Sequence, residues 1–151
     1  MQRKHISAMT ALAISAVLSI HALADSTPED AADYRESVMT AMRGHIGAAS
    51  AIVRGLIAND GHLVEHARGL AASATELDRL FPAGSNVGES EALPLIWEEP
   101  EAFAEGIGKL QAATKAFLAA AESGDEAAIG STFREVGMSC RGCHDRYRAE
   151  H

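Results

Sequence analysis

The chain has 151 residues, with 13 basic against 21 acidic side chains and a formal net charge of −8. Apolar residues make up 47 % of it, and only two residues are cysteines. That is the length of one domain with enough apolar material for a core, and its acidity excludes nucleic acid as a partner, since phosphate binding needs a basic surface.

The first 24 residues read as a secretory leader rather than as part of the fold. Arg3 and Lys4 give a positive start, Ala8 to Ile20 is a nearly unbroken apolar run, and Ala22-Leu23-Ala24 is an A-x-A cleavage site. The run is short for a bilayer span. Cleavage before Asp25 predicts an exported, periplasmic protein with no membrane segment, one domain over residues 25–151. Removing the leader's two basic residues leaves 11 basic against 21 acidic, a net charge of −10. A redox protein so charged would meet a basic partner by electrostatic steering. Acidity that serves solubility alone explains the composition equally well.

Ala, Leu, Glu and Gly dominate the remainder, without β-branched runs. Four helical patterns follow in order. The first is predicted from Pro28 to Ala58, with Thr27 as N-cap, Pro28 at the first position and Glu29 and Asp30 at the positive end of the dipole. Val38, Met42, Ile46, Ala49, Val53 and Ile57 form its stripe, and Asn59-Asp60-Gly61 turns the chain. The second is predicted from His62 to Phe81, where Pro82 stops it. His62 and His66 read as surface residues. Residues 83–99 form a long connection of the kind that often covers something, and its apolar end, Leu93 to Trp97, is expected to fold back onto the domain. The third helix is predicted from Pro100 to Ser123, capped by Gly124. The fourth runs from Asp125, a plausible N-cap, to about Ala149, with Ile129, Phe133, Val136, Cys140, Cys143 and Tyr147 as its stripe. Two short turns and one longer crossing imply an all-α, antiparallel up-down-up-down four-helix bundle.

The two cysteines stand in Cys140-Arg141-Gly142-Cys143-His144. C-x-x-C-H is the attachment signature of a c-type haem, in which each thiol adds across a vinyl group and the imidazole binds iron. Helical spacing puts Cys140, Cys143 and His144 on one face, continuous with the core stripe, so one covalently held haem c belongs in the bundle interior. A disulfide would close a tiny loop and stabilise little. A redox dithiol would want a βαβ setting that is absent, and a zinc site would need a fourth ligand, for which His151 at the chain end is a poor candidate.

The whole predicted mature chain resembles the class II c-type cytochromes, that is cytochrome c′ and its low-spin relative cytochrome c556. The residues that carry the likeness are Tyr34-Arg35-Glu36-Ser37-Val38-Met39, Ile96-Trp97, and Val136-Gly137 through Cys140, Cys143, His144 and Asp145 to Tyr147-Arg148. The resemblance implies that Cys140 and Cys143 hold the haem and that His144 is the proximal iron ligand. It implies that Arg35 pairs with a haem propionate and that Arg148 lies beside the proximal histidine. Met39, four residues after Arg35, falls at the family's distal position, where the c556 type places a ligating methionine. By spacing alone Met39 reads by default as core filler, and Met42 and His45 are further distal candidates.

His/Met ligation suits electron transfer, so the leading reading is a periplasmic electron carrier working with redox partner proteins. The other is a high-spin cytochrome c′ that binds NO or CO at an open distal site. The family often pairs two copies through the first two helices, which makes a homodimer a candidate assembly. Nothing reads as an enzyme: Gly84-Ser85-Asn86-Val87-Gly88 lacks the order of a serine nucleophile elbow, no H-E-x-x-H is present, and both thiols are spoken for by haem.

Overall fold

The computed structural model of the protein describes residues 26–150. The leader with its cleavage site, and His151, lie outside the described residues. Among the described residues five helices and one 3-10 turn form, and the long helices have chemical reasons for their ends. α1 spans Pro28–Val53. Thr27 and Asp30 close a capping box: the Thr27 hydroxyl accepts from the Asp30 N–H at 3.1 Å, and the Asp30 carboxylate accepts from the Thr27 N–H at 3.1 Å. The Thr27 hydroxyl also donates to the Asp30 carboxylate at 2.8 Å, and this bond first, then the one from the Thr27 N–H, holds the Asp30 carboxyl below its usual pKa.

α1 stops five residues short of the predicted end. Gly55 adopts φ +70, its N–H donates to the Ile52 carbonyl at 2.8 Å, and the Leu56 N–H donates to the Ala51 carbonyl at 2.9 Å. That is a Schellman cap, which the periodicity masked because Gly55 reads as one more interior glycine. The expectation that Ile57 is buried therefore fails: beyond the cap Leu56 and Ile57 are 64 % and 60 % exposed.

α2, His62–Ala74, is also shorter than predicted. Its stripe continues through the 3-10 turn Leu77–Arg79, so Leu77 and Leu80 are buried although they are not α-helical. Tyr34 of α1 pins this turn: its hydroxyl donates to Glu76 at 2.6 Å, the carboxylate that Arg79 also reaches at 2.6 Å. The connection folds back as expected, through a four-residue helix α3, Leu95–Glu98, that periodicity does not reveal. Ile96 is buried, and the Trp97 indole N–H donates to the carbonyls of Phe81 and Pro82 at 3.1 and 3.2 Å.

α4, Pro100–Ser123, and α5, Glu126–Tyr147, follow. Gly124 caps α4, and the Asp125 carboxylate accepts from the N–H groups of Ala127 and Ala128 at 3.0 and 3.1 Å. The four long helices make the antiparallel four-helix bundle. Its core holds Leu63, Leu70, Phe117 and Val136 at 2 % exposure or less. An aromatic chain, Phe81 on Phe103 on Tyr147, packs edge to face at centroid distances of 4.8 and 5.0 Å.

Around the ring of long helices α1–α2, α2–α4 and α4–α5 pack closely, and α1–α5 is the loosest seam. The crossing loop straps the end of α5: the Leu93 N–H donates to the Tyr147 carbonyl and the Ala149 N–H to the Glu91 carbonyl, both at 2.9 Å. Among the described residues no helix is long and apolar enough to cross a membrane.

Two substitutions test the end signals. Asp125→Ala removes the one carboxylate oxygen that accepts both N-terminal bonds, and Gly55→Ala forces a side chain into the left-handed region. Each should cost about 1 kcal/mol in chemical unfolding and leave the visible spectrum of the loaded protein unchanged.

The candidate haem site

α5 carries Cys140, Cys143 and His144 in one unbroken helical run, all three half-buried. The two thiols are free and pack against the core cluster. Burial pushes both thiols above their usual pKa, and the neighbouring Cys140 adds to the rise at Cys143. Both therefore stay protonated at neutral pH, which keeps two like charges out of the interior. Burial, then the positive charge of Arg148, holds the His144 imidazole below its usual pKa, against the opposite pull of Asp145 and Glu91. The imidazole is neutral at pH 7, as a metal ligand must be.

Two thiols and a neutral imidazole on one helix, turned to the edge of the core, fit a covalently held haem. Below them Tyr147 is 6 % exposed, and its hydroxyl has no hydrogen-bond partner.

Arg148 lies just past the helix. It is the C-cap, with extended backbone, and its N–H donates to the His144 carbonyl at 3.1 Å. That bond closes the last turn of α5, so Arg148 stands one helical turn beyond His144 although its own backbone is extended. Its guanidinium, half-exposed, faces Glu91 of the strap at 3.7 Å. Arg146 pairs with Glu99 at the other edge of α5.

Arg35 is 6 % exposed and knots α1 to the crossing loop. Nη1 donates to the Leu80 carbonyl at 3.0 Å and to Ser85 Oγ at 2.9 Å. Nη2 donates to the Ser85 carbonyl at 2.8 Å and to Ser90 Oγ at 2.7 Å. The guanidinium also lies 5.0 Å from the centre of the Phe81 ring. Ser85, fully buried, and Ser90 are the partners that reading the sequence missed. Nothing local links them to an arginine some fifty residues earlier.

The distal candidates on α1 separate. Met42 is 6 % exposed and belongs to the core. His45 turns to α2, where its Nδ1 meets Nδ1 of His66 at 3.3 Å. His66, expected on the surface, is half-buried at that seam. Met39 is half-buried and packs against the edge of the core.

Residues 30–148 match the family model described as Cytochrome C′. The chain belongs to the cytochrome c′ family. Members carry covalently attached haem c, the group that Cys140, Cys143 and His144 fit. The chain is 32 % identical over 124 residues to the cytochrome c′ of Pararhodospirillum photometricum, covering 82 % of this chain and 99 % of that one. It is 33 % identical over 115 residues to the cytochrome c-556 of Agrobacterium tumefaciens strain II Chrys, covering 76 % and 93 %. Among solved structures, the nitric oxide complex of a variant of cytochrome c prime from Alcaligenes xylosoxidans superposes with a TM-score of 0.78 at 31 % identity, covering 83 % and 98 %. These relatives bear out the four-helix bundle with haem and the resemblance to both branches.

The Arg35 knot is testable apart from haem chemistry. Arg35→Ala leaves buried acceptors on the loop unpaired and should cost about 2–3 kcal/mol. Amide hydrogen exchange over residues 80–90 should accelerate, while α4 stays protected.

Proposed function

We propose that this protein is an exported, periplasmic electron carrier of the c556 kind, with His144 and Met39 as the two axial ligands of its haem iron. What carries the reading is the position of Met39. It stands half-buried on α1, the helix across the loose seam from α5, while Met42 is taken up by the core and His45 by His66. Of the three distal candidates on α1, it is the one neither enclosed by the core nor paired with another side chain. The relation to a cytochrome c-556 supports the same assignment.

Bound haem supplies a one-electron ferric/ferrous couple whose potential a thioether ligand raises. The chain's own residues do the rest. Cys140 and Cys143 would hold the group and the neutral His144 its iron, with the positive charge of Arg148 beside that imidazole. Arg35 holds the loop whose far end straps α5, and the resemblance assigns it a propionate contact as well. With a net charge of −10 after leader removal, the redox partner is a protein with a basic docking face, met by steering. Pairing of two copies through α1 and α2 is the assembly the family suggests.

The visible spectrum of wild type and Met39→Ala decides the ligand. Low-spin wild type with a sharp split α/β band when reduced, converting to high spin in Met39→Ala, is the expected result. A second reading has a specific basis, since the superposed relative from Alcaligenes xylosoxidans is a nitric oxide complex. Under it the iron is high-spin, Met39 lies over it unbonded, CO binds rapidly to the reduced wild type, and Met39→Ala barely changes the resting spectrum.

A further inference from the structure

We propose that His45 and His66, completed by His62, form a second metal site, for zinc or a similar imidazole-preferring divalent transition-metal ion. The site is separate from the haem residues: it clips α1 to α2, whereas Cys140, Cys143 and His144 belong to α5.

Two ligands already face each other. His45 Nδ1 and His66 Nδ1 are 3.3 Å apart across the α1–α2 seam, with both rings half-buried. Zinc–nitrogen bonds of ~2.0–2.1 Å in tetrahedral geometry set two nitrogens about 3.3 Å apart. The rings are tilted by 55°, so a modest rotation of each aims both lone pairs at one ion.

The backbone is shaped to receive the first ring. A Cβ on residue 69 would lie 2.6 Å from His45 Cε1 and 2.7 Å from Cδ2, and closer still to Nε2. His45 occupies space that only glycine leaves free, so its approach to His66 is built into α2.

His62 supplies the third ligand. It is four residues before His66 on α2, the spacing at which two histidines on one helix share an ion. Its side chain is 72 % exposed and held only by a 3.9 Å contact to Asp60, so turning it toward His66 breaks little. The described residues hold no ready-made group of three ligating side chains; the third place is filled by this rotation, and water takes the fourth. The nose-to-nose pair needs one N–H donor and one lone pair, and a divalent ion replaces that single proton as the bridge.

Zinc titration of the haem-loaded, tag-free protein against a competing colorimetric chelator tests this. Wild type should take up one zinc ion per chain and gain thermal stability with zinc concentration. His45→Gln and His66→Gln should each lose about tenfold or more in affinity, and Gly69→Ala, which displaces the His45 ring without touching a ligand, about tenfold. His62→Gln should weaken binding as well. An unchanged haem spectrum certifies that each variant is folded. Absence of uptake by wild type, or uptake that His45→Gln and His66→Gln leave unaltered, overturns the site; unaltered uptake by His62→Gln overturns its third ligand. None of these readouts depends on the haem spin state.

Discussion

α5 has to serve two masters with one face. The residues that anchor it in the bundle, Ile129, Val136 and Tyr147, share a stripe with the two thiols and sit beside the imidazole. A helix in that position cannot be sealed against all its neighbours and still admit a haem. The bundle closes tightly along α1–α2, α2–α4 and α4–α5, and leaves α1–α5 loose. With that seam loose, α1 and α5 need a tie elsewhere to stay in one fold.

The crossing loop does much of this work. A bundle with one loose seam needs another tie across its ring, and residues 80–93 provide it. At one end Arg35 draws the loop onto α1 with four hydrogen bonds from a buried guanidinium. At the other, backbone hydrogen bonds from Leu93 and to Glu91 hold the end of α5. Burying a charge is costly unless its donors are satisfied, and here four donor contacts and an aromatic face satisfy it. The result joins α1 to α5 indirectly, over the top of the seam rather than through it. Such a tie sets how far apart a donor on α1 and one on α5 stand, and so bears on the proposed pairing of Met39 with His144.

Helix ends were legible wherever a side chain or a proline makes them. Thr27, Pro28, Pro100, Gly124 and Asp125 all act as read, because capping is local chemistry. Gly55 and the short α3 were not legible. A glycine that ends a helix and a glycine inside one look alike in a string, and four helical residues show no period. The stripe of α1 was overextended for the same reason: Ile57 fits the spacing but lies beyond the cap, in solvent.

The sequence by itself determined the haem helix, the family and the class of fold, since C-x-x-C-H and the 3.6-residue period are both local and carry their chemistry with them. Only the tertiary structure decided the use of the α1 side chains. Arg35, Met39, Met42 and His45 sit within three turns of one helix, yet one knots a loop, one borders the core, one fills it and one meets a histidine of α2. The partners of Arg35 and His45 stand between 21 and 55 residues away, brought close by loop closure and packing. A linear pattern shows which residues share a helix face but not what lies opposite it.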